Sequence, residues 1–228
     1  MLGTAFNVLM IILGSIIGSV FKKGIKNEYQ EMLMNAMGLA ALALGVNSIV
    51  QHMPSSKYPV LFIVSLALGV LIGQKINLEE RFSTVVSRFS KGKLAEGLST
   101  AILLFCMGSL SILGPIEAAL KGDMTYLFTN GMLDFITSIV LASTFGIGIA
   151  LSALVLFCWQ GSFFLIAKLV ESSLNADLLN EISIIGGVLI LCSGLSILGI
   201  KKMKTLNILP ALAIPPLMFL IMFVFNIK

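Results

Sequence analysis

The chain has 228 residues, 57% of them hydrophobic and 11% charged, with a mean hydropathy of +1.03. A soluble domain is about a quarter charged, so an ordinary soluble protein is excluded, and eight spans of about 20 residues each leave no room for a separate soluble domain. The net charge of +4 is too small a surplus to indicate a nucleic-acid partner.

Apolar runs predict an all-α, polytopic membrane protein built as a single transmembrane domain over 1–228. Its spans fall at 3–21, 33–51, 58–76, 97–114, 126–145, 148–169, 182–200 and 207–227. The first run lacks a charged leader and ends in Lys22-Lys23, so it reads as a permanent span and not a cleaved signal. After it, Ile25, Tyr29, Met32 and Leu33 recur at helical spacing, which predicts a short amphipathic helix at the membrane interface. Leu78, Phe82, Val85, Val86 and Phe89 predict a second such helix after span 3, and Leu174, Leu178, Leu179 and Ile182 a third after span 6. The third carries acids, Glu171, Asp177 and Glu181, where the first two carry bases.

Basic residues fix an orientation. Lys22, Lys23 and Lys26 follow span 1; Lys75, Arg81, Arg88, Lys91 and Lys93 follow span 3; Lys201, Lys202 and Lys204 follow span 7. These are eleven of the fifteen Lys and Arg, and the positive-inside rule assigns all three clusters to the cytoplasm. The chain then crosses an even number of times between the second and third clusters. Both termini come out external, and spans 5 and 6 must both cross or both re-enter. The expected location is a membrane crossed many times with these clusters on its cytoplasmic side, and the lipid bilayer is the first partner.

Span 4 contains Leu110-Ser111-Ile112-Leu113-Gly114 and span 7 contains Leu195-Ser196-Ile197-Leu198-Gly199. Spans 1 and 3 share the small-residue pairs Gly14/Gly18 and Gly69/Gly73. With the charge-derived orientation, these likenesses predict inverted repeats, about 3–76 and 148–227, of the kind that gives secondary transporters two alternative openings. The glycine pairs also permit close helix packing, within the chain or in a homodimer.

Asp134 is the one acid read well inside a span, so it should face protein, water or a cation. Thr137 and Ser138 lie one turn on and could assist it. Asn7 and Gln160, in the spans that open the two repeats, could face one another across the repeat axis. Ser111 and Ser196 would be repeat equivalents lining the same cavity, with Asn47 a further intramembrane amide. Pro210, Pro215 and Pro216 should break or kink span 8. Cys106, Cys158 and Cys192 read as buried small hydrophobes, His52 stands alone, and Trp159 is core packing or a cavity wall. No nucleophile–base set, nucleotide motif, metal motif or cofactor motif is present, so an enzyme is not expected, nor a metal or cofactor.

Several strings resemble one family over essentially the whole length. Met1-Leu2-Gly3-Thr4, Asn7-Val8, Ile12-Leu13-Gly14 and Lys22-Lys23-Gly24-Ile25 are similar to its opening. Leu104-Phe105-Cys106-Met107-Gly108, Ile112-Leu113-Gly114, Leu133-Asp134, Ser138, Ala142-Ser143, Gly146, Ser152 and Gln160-Gly161 are similar to its middle. This is the YdfK/YqgA-type family of bacterial integral membrane proteins of unknown function. The resemblance implies the multi-span topology, singles out Asn7, Asp134 and Gln160, and supplies no substrate. A secondary transporter moving an ion or small solute is the expectation, against a passive channel or a membrane scaffold or sensor acting through protein partners.

Overall fold

A computed structural model describes residues 1–20, 26–88, 93–170 and 175–225. Lys22, Lys23, Ile25, Phe89, Lys91, Glu171, Leu174 and Lys228 lie outside the described residues. The described chain is helical: α1 (Leu2–Val20), α2 (Asn27–His52), α3 (Leu61–Ile76), α4 (Leu78–Ser87), α5 (Lys93–Met107), α6 (Ser109–Leu120), α7 (Thr125–Phe145), α8 (Ser152–Val170), α9 (Ala176–Ile197), α10 (Thr205–Ile208) and α11 (Ile214–Val224). Among the described residues seven segments are long and apolar enough to cross a membrane, and eight if one bent pair counts as a single span. The protein is a polytopic all-α membrane protein.

Three expectations change in detail. Only one of the amphipathic pieces, α4, is a helix of its own. It is set off by Asn77, whose φ of 52° takes the left-handed conformation that asparagine tolerates, and whose N–H donates to the Gly73 carbonyl at 2.7 Å. The other two are the first turns of α2 and α9, because no breaker separates them from the apolar run. In α9 the start is fixed instead by Asn175, whose side chain accepts from Leu178 N at 2.8 Å.

Span 4 is not one helix ending at 114. Gly108 adopts an extended conformation, φ −68° and ψ 140°, and the helices on either side meet at 49°. The segment then continues as α6 to Leu120. Spans 5 and 6 each form a long helix, joined through Gly146 (φ 87°) and a short 3-10 turn at Ile147–Leu151. Span 8 is broken as its prolines require, into α10, a 3-10 turn at Leu209–Ala213 and α11.

The chain divides into two compact units, Met1–Gly38 with Glu80–Glu171 and Leu39–Glu79 with Ser172–Lys228. Unit one centres on α1 and α7. Lipid is as apolar as leucine, so helices in a bilayer associate through close packing more than through burial from water. Here the closeness comes from glycine. A Cβ on Gly14 would lie 2.5 Å from the Phe135 carbonyl oxygen, and one on Gly18 would collide with that of Ile139. Gly3 meets Leu127 and Gly131 meets Asn7, so α1 and α7 run parallel, as the charge-derived topology requires of spans 1 and 5. Around them Ile11, Phe105, Cys106, Ala142, Ile149 and Leu156 form a buried core.

In unit two the same device recurs with different partners. Gly69 and Gly73 of α3 seat the backbone of Ala211 and Asn207. Gly45 meets Leu191 and Gly187 meets Ile49, so α9 runs antiparallel to the second half of α2. Asn207 ties the broken span down: its Oδ1 accepts from Glu79 N at 2.9 Å, and its Nδ2 donates to Gln74 Oε1 at 3.1 Å and Asn77 Oδ1 at 3.4 Å. Asn207→Ala should remove these three bonds and cost about 0.5–1.5 kcal/mol for each, read as a lowered thermal midpoint in detergent. Both glycine pairs are consumed inside the chain, so they lend no support to a homodimer.

Of the cysteines, Cys106 and Cys192 are buried as expected, but Cys158 is exposed, since it sits on the side of α8 away from the core.

Candidate functional site

The buried face of α7 is Leu127, Asn130, Gly131, Leu133, Asp134, Ile136, Ser138 and Ala142. Asn130, Asp134 and Ser138 follow one another at i, i+4 and i+8, so they form a single polar stripe. The buried face of α1 is Gly3, Thr4, Asn7, Ile11, Gly14, Ser15 and Gly18, again polar and small. Because the glycine contacts press these two faces together, their polar side chains have nowhere else to go. Asn7 sits at the rung of Gly131, and Gly14 at the rung of Ser138, with Asp134 between.

Asp134 is 5% exposed. Asn130 Nδ2 donates to its Oδ2 at 2.8 Å, and the Asn7 amide lies beside the carboxylate. Cys106, at the end of α5, is buried in one core with Ile11 of α1 and Ala142 of α7, and Gly114 of α6 packs on Leu127 of α7, which brings the Gly108 break against the same helix. On the far side of that break Ser111 accepts from Gln160 Nε2 of α8 at 3.3 Å, both residues being fully buried. Pro115 carries no N–H, so the Ser111 carbonyl loses its ordinary helical donor.

Most of this cluster is under-bonded. Thr4 Oγ1, Ser15 Oγ, Ser138 Oγ and Gln160 Oε1 are buried without a hydrogen-bond partner in the protein. Buried polar atoms in native proteins are almost always paired, and each unpaired one costs about 1–3 kcal/mol, so such a concentration points to partners from outside the chain.

A second buried carboxylate makes the contrast. Glu181 of α9, read from the sequence as part of an acidic amphipathic piece at the interface, is 1% exposed. It is anchored: Ser56 Oγ donates to its Oε1 at 2.6 Å and Tyr58 N at 3.4 Å. It therefore pins the 53–58 turn, whereas Asp134 has only the neutral amides of Asn130 and Asn7 beside it.

The structure places Asn7, Asp134 and Ser138 on the facing sides of α1 and α7, and separately pairs Gln160 with Ser111, all within unit one. It does not bring in Thr137, whose hydroxyl turns back to the Leu133 carbonyl at 2.9 Å, with Met34 Sδ beside it. Asn47 and Ser196 belong to unit two. Asn47 is exposed and accepts from Gln51, while the neighbouring Ser48 is the buried residue and donates to the Ser183 carbonyl at 3.0 Å. Ser196 lies in the last turn of α9, donating to the Lys201 carbonyl and accepting from Met203 N. It is not the counterpart of Ser111, because the same five residues start one helix and end another, at Gly199 with φ 69°. Thr4, Ser15 and Asn130 belong to the cluster and go unmarked in the sequence reading. Their signal is the recurrence of polar and small residues every three or four positions on α1 and α7.

The donor set is oxygen-rich with one carboxylate. Oxygen ligands suit hard cations. A single negative charge in a low-dielectric site neutralises one positive charge and leaves a divalent ion uncompensated. Among the described residues no group of three His, Cys, Asp or Glu is gathered as for a transition metal.

Comparison with known proteins places these residues in context. The family model "Protein of unknown function (DUF554)" matches residues 2–220. The "Uncharacterized membrane protein YdfK" of Bacillus subtilis (strain 168) is 69% identical over 228 residues, all of both chains. The "Uncharacterized protein YqgA" of Escherichia coli (strain K12) is 28% identical over 222 residues, 92% of this chain and 93% of the other. No solved structure matches.

Proposed function

The chain belongs to the DUF554 family of proteins of unknown function, and we propose that it is a secondary transporter coupled to a monovalent cation or proton at Asp134. One observation carries the reading: a buried carboxylate with only neutral amides beside it, near unpartnered oxygens at a glycine-packed helix pair. An ionised group in that position is costly unless it is paired, and a bound cation or proton relieves the cost. A helix broken at membrane depth supplies freed backbone groups for a solute, here the Ser111 carbonyl, whose helical donor position is taken by Pro115. Asn7, Ser138, Ser111 and Gln160 then line the cavity. Alternating access through inverted repeats, in an inner membrane with both termini external, completes the proposal.

The test is charge movement. Purified protein in proteoliposomes on a solid-supported membrane is given jumps of Na⁺, K⁺ or pH. A saturable transient current with one of them is the expected result. A current that rises without saturation indicates a channel, and no current with any jump removes the transport reading. Independently, the coupling ion should stabilise the purified protein, by about 2.7 kcal/mol at a hundredfold excess over Kd, with choline chloride as the inert control.

A further inference from the structure

Unit one has a second feature that the polar cluster does not use. Between α4, α5 and α8 lies an apolar cleft of about 600 Å³, lined by Phe82, Val85, Val86, Ile102, Val155 and Trp159 among others. Ligand pockets run from about 300 to 1,000 Å³, so this is ligand-sized. The faces of α8 keep the two features apart: Val155 and Trp159 face the cleft, while Leu156 and Gln160 are buried on the other side. Trp159 is a cavity wall, held between the rings of Phe82 at 5.0 Å and Phe163 at 5.1 Å.

The roof of the cleft is amphipathic. On α4, Phe82, Val85 and Val86 point into it. Arg81 and Arg88 are seven residues apart, two helical turns, so they share one flank next to Val85. Both are exposed, and neither is in an ion pair among the described residues. Glu80 falls on the opposite side of the helix, and Glu79 on the other flank, where its N–H is tied to Asn207. An interfacial helix with an apolar face over a cleft and two cations along one edge matches an amphiphile with a hydrocarbon tail and a negative head.

We propose that this cleft holds an acyl chain of an anionic phospholipid, with Arg81 and Arg88 on its phosphate. The site is independent of the cation reading at Asp134, and its test needs no transport.

Trp159 is the single tryptophan of the chain, so its fluorescence reports on the cleft alone. The protein is reconstituted in mixed phosphatidylglycerol and phosphatidylcholine vesicles with brominated acyl chains on one lipid at a time. Brominated phosphatidylglycerol should quench with an apparent affinity about fivefold or more above that of phosphatidylcholine. R81Q/R88Q should bring the ratio to near one, R81K/R88K should keep most of it, and V155F should weaken quenching by both lipids. Circular dichroism checks that each variant is folded. Equal quenching by the two lipids in the unaltered protein overturns the proposal whatever the variants do. So does a preference that survives R81Q/R88Q.

Discussion

Asp134→Asn should remove cation-driven current from the reconstituted protein by at least a factor of about a hundred, equivalent to about 2.7 kcal/mol. Asparagine has nearly the shape of aspartate, and its carbonyl can still accept from Asn130, which now sits 2.8 Å from the carboxylate. What it lacks is the charge that holds the cation. The same substitution removes a buried carboxylate that has only neutral amides beside it, so the variant should be at least as stable as the parent without cation, and should no longer gain stability when cation is added. Those two signs together separate a binding role from a structural one. Glu181→Gln is the matched comparison. Its carboxylate accepts charge-assisted bonds from Ser56 and Tyr58 on one oxygen, which the amide can make only as weaker neutral bonds, so the variant should lose thermal stability and keep its current. If Asp134→Asn carries normal current, the cation site is elsewhere and the transport mechanism proposed for this cluster is wrong.

Asp134 is legible in the sequence because charge is scarce in this chain, and a carboxylate inside an apolar run stands out without any knowledge of packing. The spans are legible for the same reason, hydropathy being a property of a local window. So is the fate of Gly14, Gly18, Gly69 and Gly73, whose spacing announces close approach although it does not say to what. Properties that depend on the partner are hidden. Gly108 breaks a helix in the middle of an unbroken apolar run, and only the 49° bend between its neighbours reveals it. Ser111 and Ser196 sit in identical pentapeptides, yet one opens α6 and the other closes α9, because Ile200-Lys201-Lys202 leaves the apolar run where Pro115-Ile116 continues it. Thr137 and Asn130 are both one turn from Asp134, and the sequence favours neither. Packing against α1 selects Asn130, because that face of α7 meets the glycine side of α1. Glu181 reads as one of three acids in an interfacial amphipathic piece, and only Ser56, 125 residues earlier in the chain, explains its burial.

Gly18→Ala and Gly73→Ala should each destabilise the protein by about 1–3 kcal/mol or more, although each adds a single methyl group. The added Cβ at Gly18 would collide with the Ile139 backbone, and the one at Gly73 with the carbonyl of Asn207. Neither obstacle is the end of a flexible side chain, so relief requires one helix to move off its neighbour. In a bilayer that loss is not offset by a hydrophobic driving force, because separated helices simply exchange protein contacts for lipid. Alanine is a better helix former than glycine by about 1 kcal/mol, so a fall in stability would show that packing outweighs propensity at both sites. Gly161→Ala is the control that isolates this balance. A Cβ there meets only the end of the Met1 side chain, at 3.8 Å, so the propensity gain should appear unopposed and raise the thermal midpoint. The unfolding midpoint in detergent, followed by light scattering with the three variants side by side, should therefore move in opposite directions. A neutral or stabilising Gly18→Ala would mean that α1 and α7 approach less closely than their glycine contacts imply. The polar faces carrying Asn7 and Asp134 would then no longer be forced together, and the candidate cation site would lose the contact that assembles it.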